Sequence, residues 1–333
     1  MCIRDRFEDV TCERNHFKHF GVDVSRHPTE FHITASQHDY VQELQPIKLP
    51  PRSRKETECD AEMITAYRSL VSGIAWVGVT FAPALAAASL YQSFLPKPTH
   101  EHCKMMNLVL AQLCEEYQAL IFRADLVGPF RIVAVGDSSL GNASKYSQGG
   151  FYVLLASKAG NHICGSSHQL SFKSSKSKRV ASSTEHAETL ALMAGMEESL
   201  FLQSWLYEIA HPYATSMDIL KVPGWEHTPI IGLMDCLDVL ESMVKTAVPT
   251  PVNRALTLYL HALRELHKLG FVEAYVWIDT RDNVSNCLTK LKPDGCLDLT
   301  GIKDFYRGGG WEPQQPIRWH SHRLTDPEPY EQI

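Results

Sequence analysis

The chain has 333 residues, of which 44% are hydrophobic and 21% charged, and its net charge is −6 at pH 7. These are the values of an ordinary globular protein of about two domains, and they exclude a strongly basic nucleic-acid-binding protein. Nine cysteines without a CxxC pair indicate no disulfide framework, and no signal peptide opens the chain, so a location in the cytoplasm or nucleus is expected.

The N-terminal 60 residues are polar and are expected to hold little regular structure. The first six residues resemble translated sequencing-adaptor sequence and are left out of the fold prediction. A short strand is predicted at 31–34 and a short helix at 39–44. A stretch rich in Pro, Lys and Arg at 46–55 is typical of a linker.

Segment 69–95 contains no charged residue and is long enough to cross a bilayer. Pro83 near its middle, together with Gly73 and Gly78, opposes one continuous apolar helix. Two buried helices that meet near Pro83 are therefore predicted, with a membrane anchor as the open alternative. An amphipathic helix over 99–119 is expected to follow.

The pattern changes from residue 130 onward, where β-branched runs alternate with helical periodicity. The order is three strands, a helix, a strand, helices, a strand and a helix, which predicts an α/β fold with a mixed sheet and helices packed on it. Strands are predicted at 130–136, 149–156, 162–172, 229–234 and 272–278, and helices at 182–209, 237–245, 254–269 and near 282.

Three acidic residues fall at the ends of these elements. Asp137 and Asp235 each follow a hydrophobic strand, and Glu188 lies in an early turn of the first long helix. Such positions can meet at one edge of a sheet, where clustered carboxylates favour a bridging Mg²⁺. Taken singly, each acid is also explained as a turn former or as a partner of the helix dipole.

Four motifs in this order resemble the ribonuclease H region of copia-type LTR retrotransposons. They are Val135-Gly136-Asp137-Ser138-Ser139, then residues 180–192 (VASSTEHAETLAL), Gly232-Leu233-Met234-Asp235, and residues 282–290 (DNVSNCLTK). Segments at 67–71 (YRSLV) and 98–102 (PTHEH) resemble the part that joins polymerase to nuclease, so the resemblance covers most of the chain.

The resemblance implies a ribonuclease H-like mixed sheet of three antiparallel strands followed by strands alternating with helices, preceded by a mostly helical connecting region. It implies hydrolysis of RNA in RNA–DNA hybrids with two Mg²⁺ ions, held by Asp137, Glu188 and Asp235. It also divides the chain into an incomplete reverse-transcriptase tail (1–60), a helical connection (61–125), a ribonuclease H-like domain (126–296) and a C-terminal tail (297–333) that is expected to be loosely ordered.

The sequence departs from the family pattern at the fourth acid. Asn286 stands where the family usually has Asp, and an amide is a weaker ligand for a hard dication. Asp282 is a doubtful substitute, because it is also placed to cap a helix. A catalytically weakened or dead relic that only binds nucleic acid is therefore the alternative, and Asn286→Asp is expected to raise Mg²⁺-dependent hydrolysis.

The polymerase is expected to be incomplete, because the chain contains no Asp-Asp pair of the kind that its active site needs. The missing upstream part of the polyprotein would then be a partner of this chain. A basic cluster just before the Glu188 helix is predicted to contact substrate phosphates, with an ordinary solvated hairpin edge as the equal alternative. Its members are Lys173, Lys176, Lys178 and Arg179.

Overall fold

A computed structural model describes residues 15–51, 54–140, 147–158, 163–177, 181–215, 218, 221–244, 254–306, 310–313 and 318–320. The suspected adaptor residues 1–6 and two members of the basic cluster, Lys178 and Arg179, lie outside these ranges.

The first part of the chain combines a small antiparallel sheet with a group of helices. Its four strands pair in sequence order. Helices lie between the third and fourth strands in the sequence, yet these two strands are paired neighbours in the sheet. The elements are β1 (His16–His19), β2 (Val22–Arg26), β3 (Ile33–Ser36), α1 (His38–Glu43), α2 (Ala61–Val77), α3 (Pro83–Tyr91), α4 (His100–Glu116) and β4 (Leu120–Phe122). The sequence patterns did not predict β1, β2 or β4.

Two buried helices occupy the uncharged segment, as the sequence predicts. Asp60 caps α2 by accepting a hydrogen bond from the Met63 backbone N–H, and Pro83 occupies the first turn of α3, where its missing N–H costs nothing. Among the described residues, no helix has both the length and the apolar character that a membrane crossing requires.

The second part of the chain forms a six-stranded mixed sheet with the order β10-β9-β8-β5-β6-β7. Its elements are β5 (Phe130–Ser139), β6 (Gln148–Ser157), β7 (Ser167–Lys176), α5 (Thr184–Ala210), β8 (Ile230–Met234), α6 (Leu237–Val244), α7 (Arg254–Lys268), β9 (Val272–Trp277), α8 (Asn286–Thr289), α9 (Lys303–Tyr306) and β10 (Arg318–His320).

The pairing within this sheet follows the expected ribonuclease H-like pattern. Strands β5, β6 and β7 form an antiparallel meander, and β8 and β9 then add in parallel on the other side of β5. The predicted α/β fold class is therefore confirmed. The third strand begins five residues later than predicted, at Ser167, and β10 adds an antiparallel edge that the sequence patterns did not indicate.

Alternation along β5 divides the core into two layers. Ile132 and Ala134 face α5, α6 and α7, whereas Val133 and Val135 face the opposite side. On that opposite side, α2 and α4 contribute Ile74, Met106 and other apolar side chains to the same buried cluster. The N-terminal helices therefore cover one face of the large sheet.

The expectation of a loosely ordered tail after residue 297 is wrong for the residues that the structure describes. Leu299, Ile302 and Trp311 are buried in the core layer beneath the N-terminal helices. The Tyr306 hydroxyl donates to Gln169 Oε1 and accepts from the Ala82 backbone N–H. Composition suggested disorder because glycines and prolines are frequent there, but apolar residues between them reach the core.

The C-terminal half of α5 carries an apolar stripe that does not face the sheet. Phe201, Trp205 and Ile209 are 58–69% exposed, although they recur at helical spacing. The buried face of α5 instead runs through Leu192 and Met196, which pack on β5 and β6. Periodicity identified the helix, but it did not show which of two apolar stripes meets the sheet.

Candidate active site

Strand β5 carries Asp137 to the end of the sheet where the parallel strand β8 also ends. The Asp137 side chain is 1% exposed, which is unusual for a carboxylate. Gly150 and Ser174 lie directly beside it on β6 and β7. Residues that pair directly across strands point to the same face of the sheet. Because Gly150 and Ser174 are small, α8 has room to pack over Asp137 on that face.

Helix α5 supplies Glu188. The helix begins after Ser183, whose hydroxyl accepts from the His186 backbone N–H. Glu185 faces away from the sheet end, because its Oε1 accepts a hydrogen bond from Ser242 on α6 at 2.8 Å. The structure thus places Glu188, and not Glu185, beside Asp137.

Asp235 completes a group of three acids. It directly follows β8, and its backbone carbonyl accepts from the Trp277 indole N–H at 2.9 Å, which fixes the loop. One carboxylate oxygen each of Asp137, Glu188 and Asp235 lies within 4.8 Å of the others. Residues that are about 50 positions apart in the chain therefore form one carboxylate cluster, at the edge where the sequence predicts it.

Both oxygens of Asp137 have partners on the segment after β9. The Thr289 hydroxyl donates a short hydrogen bond to Oδ2, and Lys290 Nζ lies 3.3 Å from Oδ1. Burial raises the pKa of Asp137 to about 6, against the lowering effect of Lys290 and with a further rise from Asp235. The cluster therefore has a raised affinity for protons.

Glu188 is the second buried acid of the cluster. Its residue is 6% exposed, and Oε2 is buried without a hydrogen-bond partner. Burial, followed by the charges of Asp137 and Asp235, raises the pKa of Glu188 to about 8. An unpartnered buried carboxylate oxygen beside two further carboxylates is the environment that a bound cation stabilises. The donor set fits a hard divalent ion, since all three groups offer oxygen.

Asp282 is not part of the carboxylate cluster, and the side chain of Asn286 is engaged by other groups. Asn286 lies at the start of α8, where its Oδ1 accepts from Lys290 Nζ at 2.5 Å and its Nδ2 donates to the Thr280 carbonyl. Asp282 belongs to a short 3₁₀ turn, and Asp279 caps that turn by accepting from the Arg281 N–H. Ser285 occupies the N-cap position of α8, so the expectation that Asp282 caps this helix is wrong.

The described members of the basic cluster do not form a single surface. Lys173 pairs with Phe151 and Lys176 with Gln148 across the β6–β7 ladder. Since side chains alternate along a strand, two residues three positions apart point to opposite faces. A phosphate-binding role for Lys173 and Lys176 remains a prediction, with each lysine acting separately.

A second group of metal-ligand side chains lies on the turn between β2 and β3. His27, Glu30 and His32 have one ligand atom each within 4.8 Å of the others. The Glu30 backbone N–H donates to His27 Nδ1, and Glu30 Oε2 lies 3.2 Å from His32 Nδ1. These hydrogen bonds account for the arrangement of the turn without an ion.

A cavity of about 680 Å³ lies between the N-terminal helices and the segment after α8, and it is lined by Lys290, which contacts Asp137. Tyr91 and His102 line one wall, and Lys290 and Lys292 line the other. Lys290 therefore lies between the cluster and an open space, with a side chain that is 36% exposed.

No protein-family model and no curated protein sequence matches the chain. Solved structures of RNase H domains do match. The N-terminal RNase H domain of a Mycobacterium tuberculosis protein, solved as a fusion with maltose-binding protein, is 16% identical over 48% of this chain and 90% of its own, with a TM-score of 0.31. RNase H1 from Halobacterium salinarum is 15% identical over 47% and 93%, with a TM-score of 0.30.

LC11-RNase H1, isolated from compost and solved in complex with an RNA/DNA hybrid, is 13% identical over 47% of this chain and 93% of its own. Its TM-score is 0.30. At identities and TM-scores this low, the activity has to be inferred from the site itself.

The sequence patterns did not identify Thr289 and Lys290 as members of the site, although both lie in the last quoted motif. A signal was present, because a hydroxyl and a cation follow Asn286 by three and four residues, which is one helical turn. The sequence patterns also did not identify Gly136. Its role depends on how closely α5 approaches β5 in the fold.

Proposed function

We propose that this chain is a hydrolase of the ribonuclease H type, which cleaves RNA in RNA–DNA hybrids with Mg²⁺. The observation that carries the proposal is the convergence of Asp137, Glu188 and Asp235 at one end of the mixed sheet, with a buried Glu188 oxygen left unpartnered. A bound divalent ion would activate water and stabilise the leaving oxygen of a phosphodiester. Copia-type retrotransposon origin, with a missing upstream polymerase part, is proposed from the motifs alone.

The residues of the chain would perform two tasks in this reaction. Asp137, Glu188 and Asp235 would hold the ion, and Thr289 would keep Asp137 oriented through its hydrogen bond. Water would add to phosphorus while the bond to the 3′-oxygen breaks, which yields a 5′-phosphate and a 3′-hydroxyl. The expectation of two Mg²⁺ ions and of a location in the cytoplasm or nucleus stays a prediction.

The test uses the full chain with a labelled RNA–DNA hybrid, with and without Mg²⁺. Cleavage of the RNA strand is expected only with the ion, and Asp137→Asn should lower the rate by at least about 100-fold. Asp238→Asn is the matched control, since Asp238 is an exposed acid on α6 outside the cluster. Equal rates for wild type and Asp137→Asn would refute the proposal.

A non-catalytic nucleic-acid-binding protein of the same fold is the second candidate. The contact of Lys290 with both Asp137 and Asn286 favours it, because two oxygen atoms are already engaged by an ammonium group. Hybrid binding without cleavage by wild type, unchanged in Asp137→Asn, would support this candidate over the first.

A further inference from the structure

Lys290 lies between two side chains that the motif resemblance places at a metal site. Its Nζ is 2.5 Å from Asn286 Oδ1 and 3.3 Å from Asp137 Oδ1. The amide of Asn286 is fixed in this orientation, because its Nδ2 donates to the Thr280 carbonyl. The ammonium group thus lies against one carboxylate oxygen and one carbonyl oxygen, and both are ligands that a hard dication prefers.

This contact is not an ordinary surface ion pair. The Asp137 side chain is 1% exposed, so its charge is screened only weakly by water. Lys290 directly follows α8. Its side chain extends back along the helix and reaches Asn286, four residues earlier. A buried carboxylate therefore obtains its positive partner from the chain itself.

Among the described residues, no cationic side chain forms an ion pair with Glu188 or Asp235. Glu188 Oε2 is buried and unpartnered, and Asp235 lies within the same 4.8 Å group. The three negative charges of the carboxylates are balanced by the charges of one ammonium group and one divalent ion. With two divalent ions, the same groups would carry two positive charges in a largely buried site, which is costly.

We infer that the Lys290 ammonium takes the place of a second divalent ion, so that the site binds a single ion held by Asp137, Glu188 and Asp235. The inference rests on the proposed function, because it assumes that the carboxylate cluster binds a divalent ion. It assigns to Asn286 and Lys290 one joint role. The neutral amide accepts the ammonium group without adding charge, and the ammonium group supplies the positive charge that an ion would supply.

The experiment counts the ions that bind to the full chain in the absence of nucleic acid. Mn²⁺ is the probe, since it is a hard cation that suits carboxylate and water ligands and its free form gives a quantifiable electron paramagnetic resonance signal. The wild type is compared with Asn286→Asp/Lys290→Met, which removes the ammonium group and adds a carboxylate. Lys292→Met is the control, because Lys292 is an exposed neighbour on the same cavity wall.

One Mn²⁺ per chain is expected for wild type and for Lys292→Met, and two for the double variant. Two ions on the wild type would overturn the inference and leave the proposed function standing. One ion on both wild type and double variant would also overturn it, since Lys290 would not be what limits the count. No ion on the wild type would overturn the proposed function itself. Thermal unfolding checks that each variant folds, and Asn286→Asp/Lys290→Gln replaces the double variant if it does not.

Discussion

Leu192 approaches β5 so closely that Gly136 has no room for a side chain. A Cβ on Gly136 would lie 2.9 Å from both the backbone N and the Cα of Leu192. Glu188 lies one helical turn before Leu192, and Asp137 follows Gly136 directly. The close approach of helix to strand therefore sets the separation of the two carboxylates, and Gly136 is what permits it.

Gly136→Ala is expected to displace α5 from β5 and to lower the free energy of unfolding by about 1–3 kcal/mol, as overpacking of a core does. The Mn²⁺ affinity should fall as well, because Glu188 moves with the helix. Chemical denaturation and Mn²⁺ titration measure the two effects. Gly149→Ala is the matched control, since a Cβ there meets only the Ala191 Cβ, at 3.9 Å. Equal losses in both variants would contradict the role given to Gly136.

Thr289→Val is expected to leave Asp137 Oδ2 without its donor. The substitution keeps the shape of the side chain and removes the hydroxyl, so the cost is that of an unsatisfied buried acceptor, about 1–3 kcal/mol in unfolding free energy. Thr289→Ser retains the hydroxyl and should restore most of the loss. If Ser and Val variants were equally stable in denaturant titrations, the hydrogen bond would not stabilise the fold.

The metal-free protein is expected to lose stability as the pH rises from about 4 to about 8. Burial and neighbouring carboxylates raise the pKa of Glu188 from its ordinary value of 4.5 to about 8, and that of Asp137 from 3.8 to about 6. In this window the folded state binds more protons than the unfolded state does, so stability is full below the unfolded pKa and falls as each group ionises.

Glu188→Gln should remove much of this pH dependence, by an amount on the order of a few kcal/mol across the window. The measurement is thermal or denaturant unfolding in EDTA at several pH values, with wild type and variant side by side. Addition of Mg²⁺ should restore the wild type at the upper end, because the ion binds the ionised form. Parallel pH profiles for the two proteins would contradict the assigned shift.

The sequence predicted the elements that its local patterns determine. Alternation and helical spacing located β5, α5, β8 and β9, and the acids at their ends came together because parallel strands and the helix start meet at one sheet edge. Pro83 likewise predicted the break between the two buried helices, because the effect of a proline on a helix is local.

Features that depend on distant contacts were not predictable in this way. The exposure of Phe201 follows from which stripe of α5 meets the sheet, and periodicity is identical for both. The burial of Trp311 depends on a core cluster that also contains residues of the N-terminal helices and of the large sheet. Lys290 looked like an ordinary charged residue, because its contact with Asp137 exists only once α8 packs over β5.

Removal of the N-terminal helices together with the tail is expected to unfold the nuclease part, contrary to an independent domain of residues 126–296. A fragment of residues 126–296 would expose the face of β5 that carries Val133 and Val135, which the N-terminal helices and the tail cover. It should bind a hydrophobic dye and lack a cooperative thermal transition, whereas the full chain should show one. A cooperatively folded fragment would contradict the shared core.

A single substitution tests the contact between the tail and the rest of the core without truncation. Tyr306→Phe removes the hydroxyl that joins the Ala82 backbone N–H to Gln169, so it should lower the free energy of unfolding by about 1–3 kcal/mol. Tyr213→Phe is the control, since Tyr213 is 97% exposed and its change should be within about 0.5 kcal/mol. Denaturant titration of both variants at one pH decides whether the tail stabilises the fold.

The response of hydrolysis to Asn286→Asp depends on Lys290. The sequence alone predicts a gain in Mg²⁺-dependent cleavage, because a carboxylate replaces a weak ligand. In the structure, however, Lys290 Nζ already contacts position 286, and a carboxylate there would hold the ammonium group more firmly. The single variant is therefore expected to cleave hybrid at a rate close to that of wild type, within a few-fold.

The double variant Asn286→Asp/Lys290→Met should show the gain that the single one lacks, since it frees Asp137 Oδ1 and the new carboxylate together. Initial rates on a labelled hybrid at several Mg²⁺ concentrations distinguish the cases, because a second ion steepens the dependence on Mg²⁺. Lys290→Met alone serves as the control and should weaken cleavage, as it leaves a buried carboxylate uncompensated. A full gain in cleavage rate from Asn286→Asp alone would contradict this expectation, because an ion would then displace Lys290 without loss of activity.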